Sequence, residues 1–373
     1  METWLARYRY LHWSDKVLVF TGLMVIATII GLSSWLAILP PAVEPVTTLP
    51  RYASVKTGGN RMPINLPMPA AGQNKVTVPL SLPKRPTQRI DERSDQSPVT
   101  PSTQRIREPL DKLTEFSNGF TLPVVAADGM TPFDAYRSRF VVADDDDRAR
   151  IALITTGIGL NSKRSDTAYA SMPSEISVAV SPYARTAQSW VNQAFEQGRD
   201  VLLMVPMEPN SFPTIDPGPD TLMRDAPAAQ NIQKLHTVMS KMRGYCGLLN
   251  DTGSRFTANE VALGPVLDDV AKRGLMVVDA RASAYTVLGA QAKKRGIPVA
   301  VNTRFIDNSL RPDDIDRQLR DLERTAMTVG TAVGLMRDFP ITLARVKAWQ
   351  ATLDETQFLL TPISAVANTQ PIR

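Results

Sequence analysis

A short segment near the middle of the chain, residues 151–160, constrains the fold most strongly. Its first four residues are apolar, as in a strand buried within a parallel sheet, and Thr155 and Thr156 follow them. Gly157 and Gly159 then allow a tight turn. Because ligands of α/β sheets and barrels bind at the carboxyl ends of strands, the two threonines are predicted to lie at a ligand-binding edge.

From residue 151 onward, short apolar segments alternate with helical patterns. This alternation predicts a parallel sheet with crossover helices, and about 210 residues with six or seven such units predict an α/β fold, a distorted or incomplete (β/α) barrel. The predicted strands are 151–155, 176–180, 201–205, 275–279, 298–301 and 331–335. The predicted helices are 185–197, 228–242, 259–273, 284–295 and 312–329.

The N-terminal region contains 23 consecutive residues without charge, at positions 17–39. This length crosses a bilayer core of about 30 Å, which predicts one transmembrane anchor. Arg7, Arg9 and Lys16 precede it, so residues 1–16 are predicted to be cytoplasmic and the rest to lie outside, in a single-pass membrane protein. A cleaved signal peptide is the alternative; the length of the run and the lack of a small-x-small cleavage motif favour the anchor.

Residues 40–118 form a predicted disordered linker that contains 13 of the 29 prolines. With little hydrophobic periodicity, such a segment cannot bury enough apolar surface to offset its ordering entropy. Its predicted role is that of a spacer, and contact with an anionic cell-wall polymer is the alternative. The folded domain is predicted at 119–360, followed by a tail at 361–373.

Composition excludes several classes of function. The net charge of +5 is spread along the chain, which argues against nucleic acid as a partner. Cys246 is the sole cysteine, so no intramolecular disulfide forms, and His236 is the sole histidine after residue 12. No GxSxG, HExxH or phosphate-binding GxxxxGK[ST] motif occurs, and the acidic run 144–147 lacks the spacing of a calcium loop.

Several segments, in order and with consistent spacing, resemble the divergent polysaccharide deacetylases, a branch of the NodB-like carbohydrate esterases. The resemblance covers about 200 residues. Beyond residues 151–160 and the stretch near 330–343, the matching segments are VAVSPYA (178–184), GRDVLLMVPMEP (198–209), DPGPDTL (216–222), LNDTGSRFT (249–257), RGLMVVDARAS (273–283) and RFIDNS (304–309). The resemblance implies a NodB-like barrel and metal-dependent hydrolysis of an acetyl group on a glycan.

The residues that would carry that chemistry differ in this chain. The family pattern has an Asp-Asp pair at Thr155-Thr156, a histidine at Met204, another at Asp251 and a third near Arg337. In such enzymes, the acids and histidines hold a divalent metal whose bound water attacks the acetyl carbonyl. Threonine hydroxyls and a thioether are poor replacements as ligands, so no metal site is predicted.

A few polar residues remain as candidates. Glu208, Asp279 and Asp307 are the candidate catalytic acids, and the candidate substrate-binding residues are Arg281, Asn308, Asp251, Thr155 and Thr156. Asp279 lies at the carboxyl end of the predicted strand 275–279, and Asp307 follows the apolar pair Phe305-Ile306. There the two acids either line a glycan groove, together with Arg281 and Asn308, or hold the rim of the barrel through an ion pair and a cap. Prolines on both sides of Met207-Glu208 favour a rigid rim over a general base.

Two hypotheses from different classes follow. The first is a catalytically degenerate envelope protein, without a cofactor, that binds a glycan or an envelope protein through the inherited groove. The second is an active deacetylase of an acetylated polysaccharide, in which zinc or another divalent metal is held by a relocated set: Asp251, Asp279 and Asp307. A purely structural scaffold is a third alternative. The loss of acids and histidines favours the first hypothesis.

Overall fold

The structure, a computed structural model, describes residues 110–372. The strands are β1 Thr114–Ser117, β2 Phe120–Pro123, β3 Ala149–Ile158, β4 Ser177–Val180, β5 Val201–Met207, β6 Gly247–Thr252, β7 Met276–Asp279, β8 Val299–Val301, β9 Arg304–Phe305, β10 Thr331–Arg337 and β11 Phe358–Thr361. The helices are α1 Pro132–Tyr136, α2 Ser162–Ser171, α3 Ala187–Glu196, α4 Ala228–Met239, α5 Glu260–Lys272, α6 Leu288–Lys294, α7 Pro312–Val329 and α8 Pro340–Gln350.

Nine of these strands form one parallel sheet. Its order is β8-β7-β6-β5-β4-β3-β10-β9, and β11 pairs with the first half of β3 beside β4. The described edge strands β8 and β9 do not pair with each other, so the curled sheet is a half-barrel rather than a closed barrel. This confirms the predicted α/β fold with an incomplete barrel.

Strand β3 lies at the centre of the sheet, as its four apolar residues predict. Residues 151–154 are completely buried, and the strand pairs with β4, β10 and β11. Its pairing with β4 shifts register between Thr155 and Ile158. Gly157 lies within that irregularity with φ of 76°, a left-handed conformation that favours glycine.

The helices agree with the sequence in part. Helix α7 has the predicted bounds, begins with a proline and ends before Gly330, whose φ of 84° is typical of a helix C-terminus. Strand β6 and helices α2 and α8 were not predicted. In β6 only the first three residues are apolar, and the strand continues into Asn250, Asp251 and Thr252, so the usual signal of a buried strand is short.

The domain begins earlier than predicted, because residues 110–118 belong to it rather than to the linker. Strands β1 and β2 form an antiparallel hairpin, and Leu113 before it is buried. Asn118 and Gly119 at the turn both have positive φ, as a two-residue hairpin turn of the Asn-Gly type requires. The Asn118-Gly119 dipeptide was the sequence signal for this hairpin.

The C-terminal segment is also part of the domain, which corrects the predicted tail at 361–373. Strand β11 pairs with β3, and Ile363 and Val366 are buried. Farther on, the Gln370 side chain accepts from Val301 N at 2.6 Å and donates to Val301 O at 2.8 Å. The segment therefore covers the outer edge of β8, where strand backbone groups would lack partners.

The predicted cytoplasmic segment 1–16, the anchor 17–39 and the linker up to residue 109 lie outside the described residues. Within residues 110–372, none of the helices combines the length and the apolar character needed to span a bilayer. The anchor therefore stays a prediction.

Candidate functional site

A groove of about 450 Å³ lies at the carboxyl ends of the strands, where ligands of such sheets bind. Its lining comes from five strands, β3, β5, β6, β9 and β10, and from the loops that follow them. The lining residues are Thr156, Met204, Pro209, Ser211, Ile215, Leu249, Asn250, Asp251, Thr252, Ser254, Ala280, Ala282, Phe305, Asp307, Asn308, Leu335, Met336 and Arg337.

The two threonines of β3 lie in different environments. Thr156 lines the groove, and its hydroxyl donates to Met336 O at 3.1 Å. Thr155 is completely buried outside the groove lining, and its hydroxyl donates to the Met172 sulfur at 3.0 Å. Successive residues of a strand point to opposite faces, which explains the difference. Of the predicted pair, only Thr156 faces the groove.

This difference predicts opposite tolerances to an acid at the two positions. Thr155→Asp places a carboxylate in an apolar environment without a donor, so we expect a loss of about 2–4 kcal/mol in the free energy of unfolding. Thr156→Asp, which borders the groove, should cost less than about 1 kcal/mol. Urea unfolding of the two variants at pH 7 measures the difference, and equal losses would contradict the assignment of faces.

Met204 and Asp251 occupy the next two positions where the family pattern has histidine. The Met204 sulfur accepts a hydrogen bond from Gly157 N at 3.1 Å, so the thioether caps a backbone amide in the irregular part of β3. Asp251 lies near the end of β6, opposite Pro206 of β5. Its carboxyl group is partly buried in the groove wall, and burial raises its pKa to about 6.

Glu208, one of the predicted catalytic acids, does not line the groove. Its side chain is 5% exposed and accepts from Arg224 N at 2.7 Å, and it pairs with the Arg255 guanidinium at 3.4 Å. The Glu208 backbone also accepts hydrogen bonds from Arg255 N and Phe256 N. The carboxylate thus fixes the loops after β5 and β6, as the rigid-rim interpretation predicts, and its oxygens face protein donors rather than a substrate.

The Asp279 carboxylate likewise accepts hydrogen bonds from other groups of the protein. Its carboxylate accepts from Arg281 N at 2.8 Å, from the Thr286 hydroxyl at 3.0 Å and from Gly289 N at 3.2 Å. Burial raises its pKa, and these donors oppose the rise. The Arg281 side chain is exposed and borders a separate depression beside Gln370, not the groove. One interpretation of the sequence placed Arg281 and Asn308 in the same groove. The structure does not bring them together.

Asp307 and Arg337 meet at one wall of the groove. Asp307 is 3% exposed and accepts from Arg337 N at 2.9 Å and from the Thr342 hydroxyl at 3.0 Å, and its other oxygen lies 3.4 Å from Arg337 Nε. The Arg337 guanidinium also stacks over Phe339 at 4.7 Å. Asp307 holds the loop after β10 in place. Its exposed neighbour Asn308 lines the groove.

The family of the chain follows from its similarity to known proteins. The sequence profile of the divergent polysaccharide deacetylases matches residues 153–367, more than half of the 373-residue chain. The chain belongs to the divergent polysaccharide deacetylase family. An uncharacterized protein of Haemophilus influenzae is 30% identical over 208 residues, which are 56% of this chain and 73% of the relative.

Two further proteins are similar to this member of the family. The uncharacterized protein YibQ of Escherichia coli is 25% identical over 173 residues, 46% of this chain and 53% of that protein. The crystal structure of an uncharacterized protein of Agrobacterium tumefaciens superposes with a TM-score of 0.63 at 33% identity and covers 66% of this chain and 100% of its own. None of the three carries a described activity in its name.

The groove of this chain does not fit the metal that the resemblance implies. Hard and borderline divalent ions need several carboxylate, imidazole or thiolate donors that converge on one point. Within residues 110–372 no group of three or more His, Cys, Asp or Glu side chains is so arranged. The relocated set also fails, because Asp279 lies outside the groove lining and Asp307 already accepts from Arg337 and Thr342.

Sequence reasoning missed part of the groove. Ser211 and Ile215 lie in the loop after β5, Phe305 comes from the two-residue strand β9, and Asn250 precedes Asp251. Asn250 holds the site together, because its amide accepts from Ala280 N at 2.7 Å and donates to Thr252 O at 2.6 Å. Asn250 could have been found because it lies next to Asp251, a position of the family pattern. No sequence signal marks Ser211 or Ile215 as groove residues.

Proposed function

We propose that this domain binds a glycan in its groove and does not deacetylate it through a metal. One observation carries the proposal: at the groove, Thr156, Met204 and Asp251 stand where the family pattern has metal-binding or catalytic residues. The other acids, Glu208, Asp279 and Asp307, are occupied by donors of the protein. A groove that retains its shape without a donor set for a metal is suited to binding.

The chemistry of the groove lining supports a sugar as the ligand. Leu249, Leu335 and Met204 supply buried apolar surface, and Phe305 adds a partly buried aromatic ring. Around them lie hydroxyl and amide groups: Thr156, Ser211, Ser254 and Asn308. A pyranose presents an apolar face and a rim of hydroxyls, so it matches a groove of this composition, and the volume lies in the range of ligand sites.

A substitution that fills the groove tests the proposal. The natural full-length chain, Asn308→Trp and Val261→Trp are compared for binding of β-1,4-linked tetrasaccharides by saturation-transfer NMR, with acetate release measured in parallel. Val261 is 85% exposed on α5, outside the groove lining, so it controls for an added surface tryptophan. We expect the natural chain and Val261→Trp to bind a tetrasaccharide without acetate release, and Asn308→Trp to lose binding.

Two outcomes would contradict the proposal. Absence of binding to every tetrasaccharide, or equal binding by Asn308→Trp, would remove the groove as a glycan site. Acetate release by the natural chain that is abolished by Asn308→Trp would instead establish catalysis in the same groove. Either result is read directly from the natural chain and the two variants.

We also propose that residues 17–39 anchor the protein in a bacterial inner membrane and that the domain lies in the periplasm. The support is the uncharged span with basic residues before it. Alkaline phosphatase and green fluorescent protein fused in turn after residue 372 test the topology in a Gram-negative host. Active phosphatase with dark fluorescent protein is expected, and the reverse pattern would contradict the proposal.

A further inference from the structure

The charged groups of the groove do not balance. The lining contains two carboxylates, Asp251 and Asp307, and one guanidinium, Arg337. Asp307 and Arg337 neutralise each other through their ion pair. Asp251 therefore leaves the groove with one uncompensated negative charge at neutral pH.

Asp251 differs from four buried acids of the domain. Asp200 accepts from Ser138 N at 2.6 Å and from Ser364 N at 2.7 Å, and Glu208, Asp279 and Asp307 each have two or more protein donors. No donor within residues 110–372 reaches the Asp251 carboxylate, and desolvation is the sole cause of its shifted pKa. A partly buried carboxylate without a donor costs free energy, and a cationic ligand group would remove that cost.

The backbone beside Asp251 is held in an unusual conformation. Thr252 has φ of 56°, which a β-branched residue rarely adopts. The Thr252 hydroxyl donates to Met207 O at 2.6 Å, and a Cβ on the next residue, Gly253, would lie 2.9 Å from Met207 Cβ. These contacts fix the end of β6 against β5, so Asp251 is held at the groove by rigid elements rather than by a mobile loop.

We propose that the groove recognises a sugar that carries a free amine, with the Asp251 carboxylate accepting hydrogen bonds from its ammonium group. The inference rests on the proposed function and names its ligand class. The sugar ring packs on the apolar side chains, and the hydroxyls meet Thr156, Ser211 and Asn308. A glycan from which N-acetyl groups have been removed presents such an ammonium, whereas its acetylated form presents a neutral amide.

Three tetrasaccharides that differ at one position test the inference. They are β-1,4-linked oligomers of glucosamine, N-acetylglucosamine and glucose, which share a backbone and differ in the group on C2. Isothermal titration calorimetry at pH 7 gives the Kd of each for the full-length chain. Because a hydrogen bond to a charged group outweighs a neutral one, we expect the glucosamine oligomer to bind at least about tenfold more tightly than the other two.

Asp251→Asn removes the charge and keeps the shape of the side chain. In this variant we expect the advantage of the glucosamine oligomer to fall to about twofold or less. Asp147→Asn makes the same change in charge at an exposed residue on the loop before β3, outside the groove lining, and should keep the natural preference. A peptide of four lysines serves as a further ligand of matched charge and should bind more weakly than the glucosamine oligomer.

The outcomes separate this inference from the proposal on which it rests. Equal Kd values for the three oligomers, or an unchanged preference in Asp251→Asn, would overturn the inference while glycan binding stands. Absence of binding by all three would overturn glycan binding as well. Tight binding of the lysine peptide that Asp251→Asn abolishes would identify a protein amine as the ligand and overturn the sugar.

Discussion

Asp251→Asn is expected to stabilise the unliganded protein at pH 8 by about 1–3 kcal/mol. The pKa of Asp251 is raised from 3.8 to about 6 because the carboxyl group is buried without a donor, and each pKa unit corresponds to about 1.4 kcal/mol. At pH 8 the natural chain therefore holds an ionised carboxylate that is more stable in the unfolded chain. Asparagine has no such charge.

The pH dependence of this gain follows from linkage. Between about pH 4 and pH 6 the native state binds more protons at Asp251 than the unfolded state, so the free energy of unfolding of the natural chain falls as pH rises through that window. The penalty is complete above pH 6, and at pH 4 most of the gain of Asp251→Asn should disappear. Urea unfolding followed by fluorescence at pH 4 and pH 8 measures it, with Asp147→Asn as control. A destabilised Asp251→Asn at pH 8 would show that the carboxylate has a protein partner.

Asp307→Ala is expected to change stability in the opposite direction, by a loss of about 2–4 kcal/mol. Removal of this 3% exposed carboxylate leaves Arg337 N and the Thr342 hydroxyl without an acceptor and breaks the pair with the Arg337 guanidinium. Unsatisfied buried donors cost about 1–3 kcal/mol each, whereas the pair with the half-exposed Arg337 guanidinium adds less than about 1 kcal/mol.

The matched control for Asp307→Ala is Asp316→Ala. Asp316 pairs with Arg345 through two hydrogen bonds on the helical surface, where a pair contributes less than about 1 kcal/mol. Urea unfolding of both variants at pH 7 gives the comparison. If Asp307→Ala lost no more stability than Asp316→Ala, Asp307 would not be a scaffold residue, and its assignment as a candidate catalytic acid would reopen.

The sequence predicts the sheet well where strands are buried on both faces. Residues 151–154 are a continuous apolar run, and they form the centre of β3. Helix 312–329 was predicted with its observed bounds, and a proline and acids mark its start in the sequence. The hairpin at Asn118-Gly119 was missed although its turn signal and its two strands are local in the sequence. The segment after residue 361 was missed because its partners are far away in the sequence, as for Gln370 and Val301.

The site was predicted less well than the fold, and Thr155 and Asp279 show why. Asp279 ends β7 and Thr155 lies in the carboxyl-terminal half of β3, yet strand alternation turns Thr155 away from the groove. The Asp279 carboxylate accepts hydrogen bonds from the segment that follows it, among them those from Thr286 and Gly289. The position of a residue along a strand follows from the sequence, but its face and its hydrogen-bond partners depend on bulges and loops that only the folded chain determines.

Zinc affinity of the natural chain tests the central claim most directly. The full-length protein and a Thr156→Asp/Met204→His/Asp251→His variant are each dialysed against zinc, and the bound metal is measured by elemental analysis. We expect less than about 0.1 equivalent in the natural chain and close to one equivalent in the variant, because three convergent donors suffice for a zinc site. One equivalent of zinc in the natural chain, lost in Asp251→Asn, would contradict the account and restore metal-dependent deacetylation.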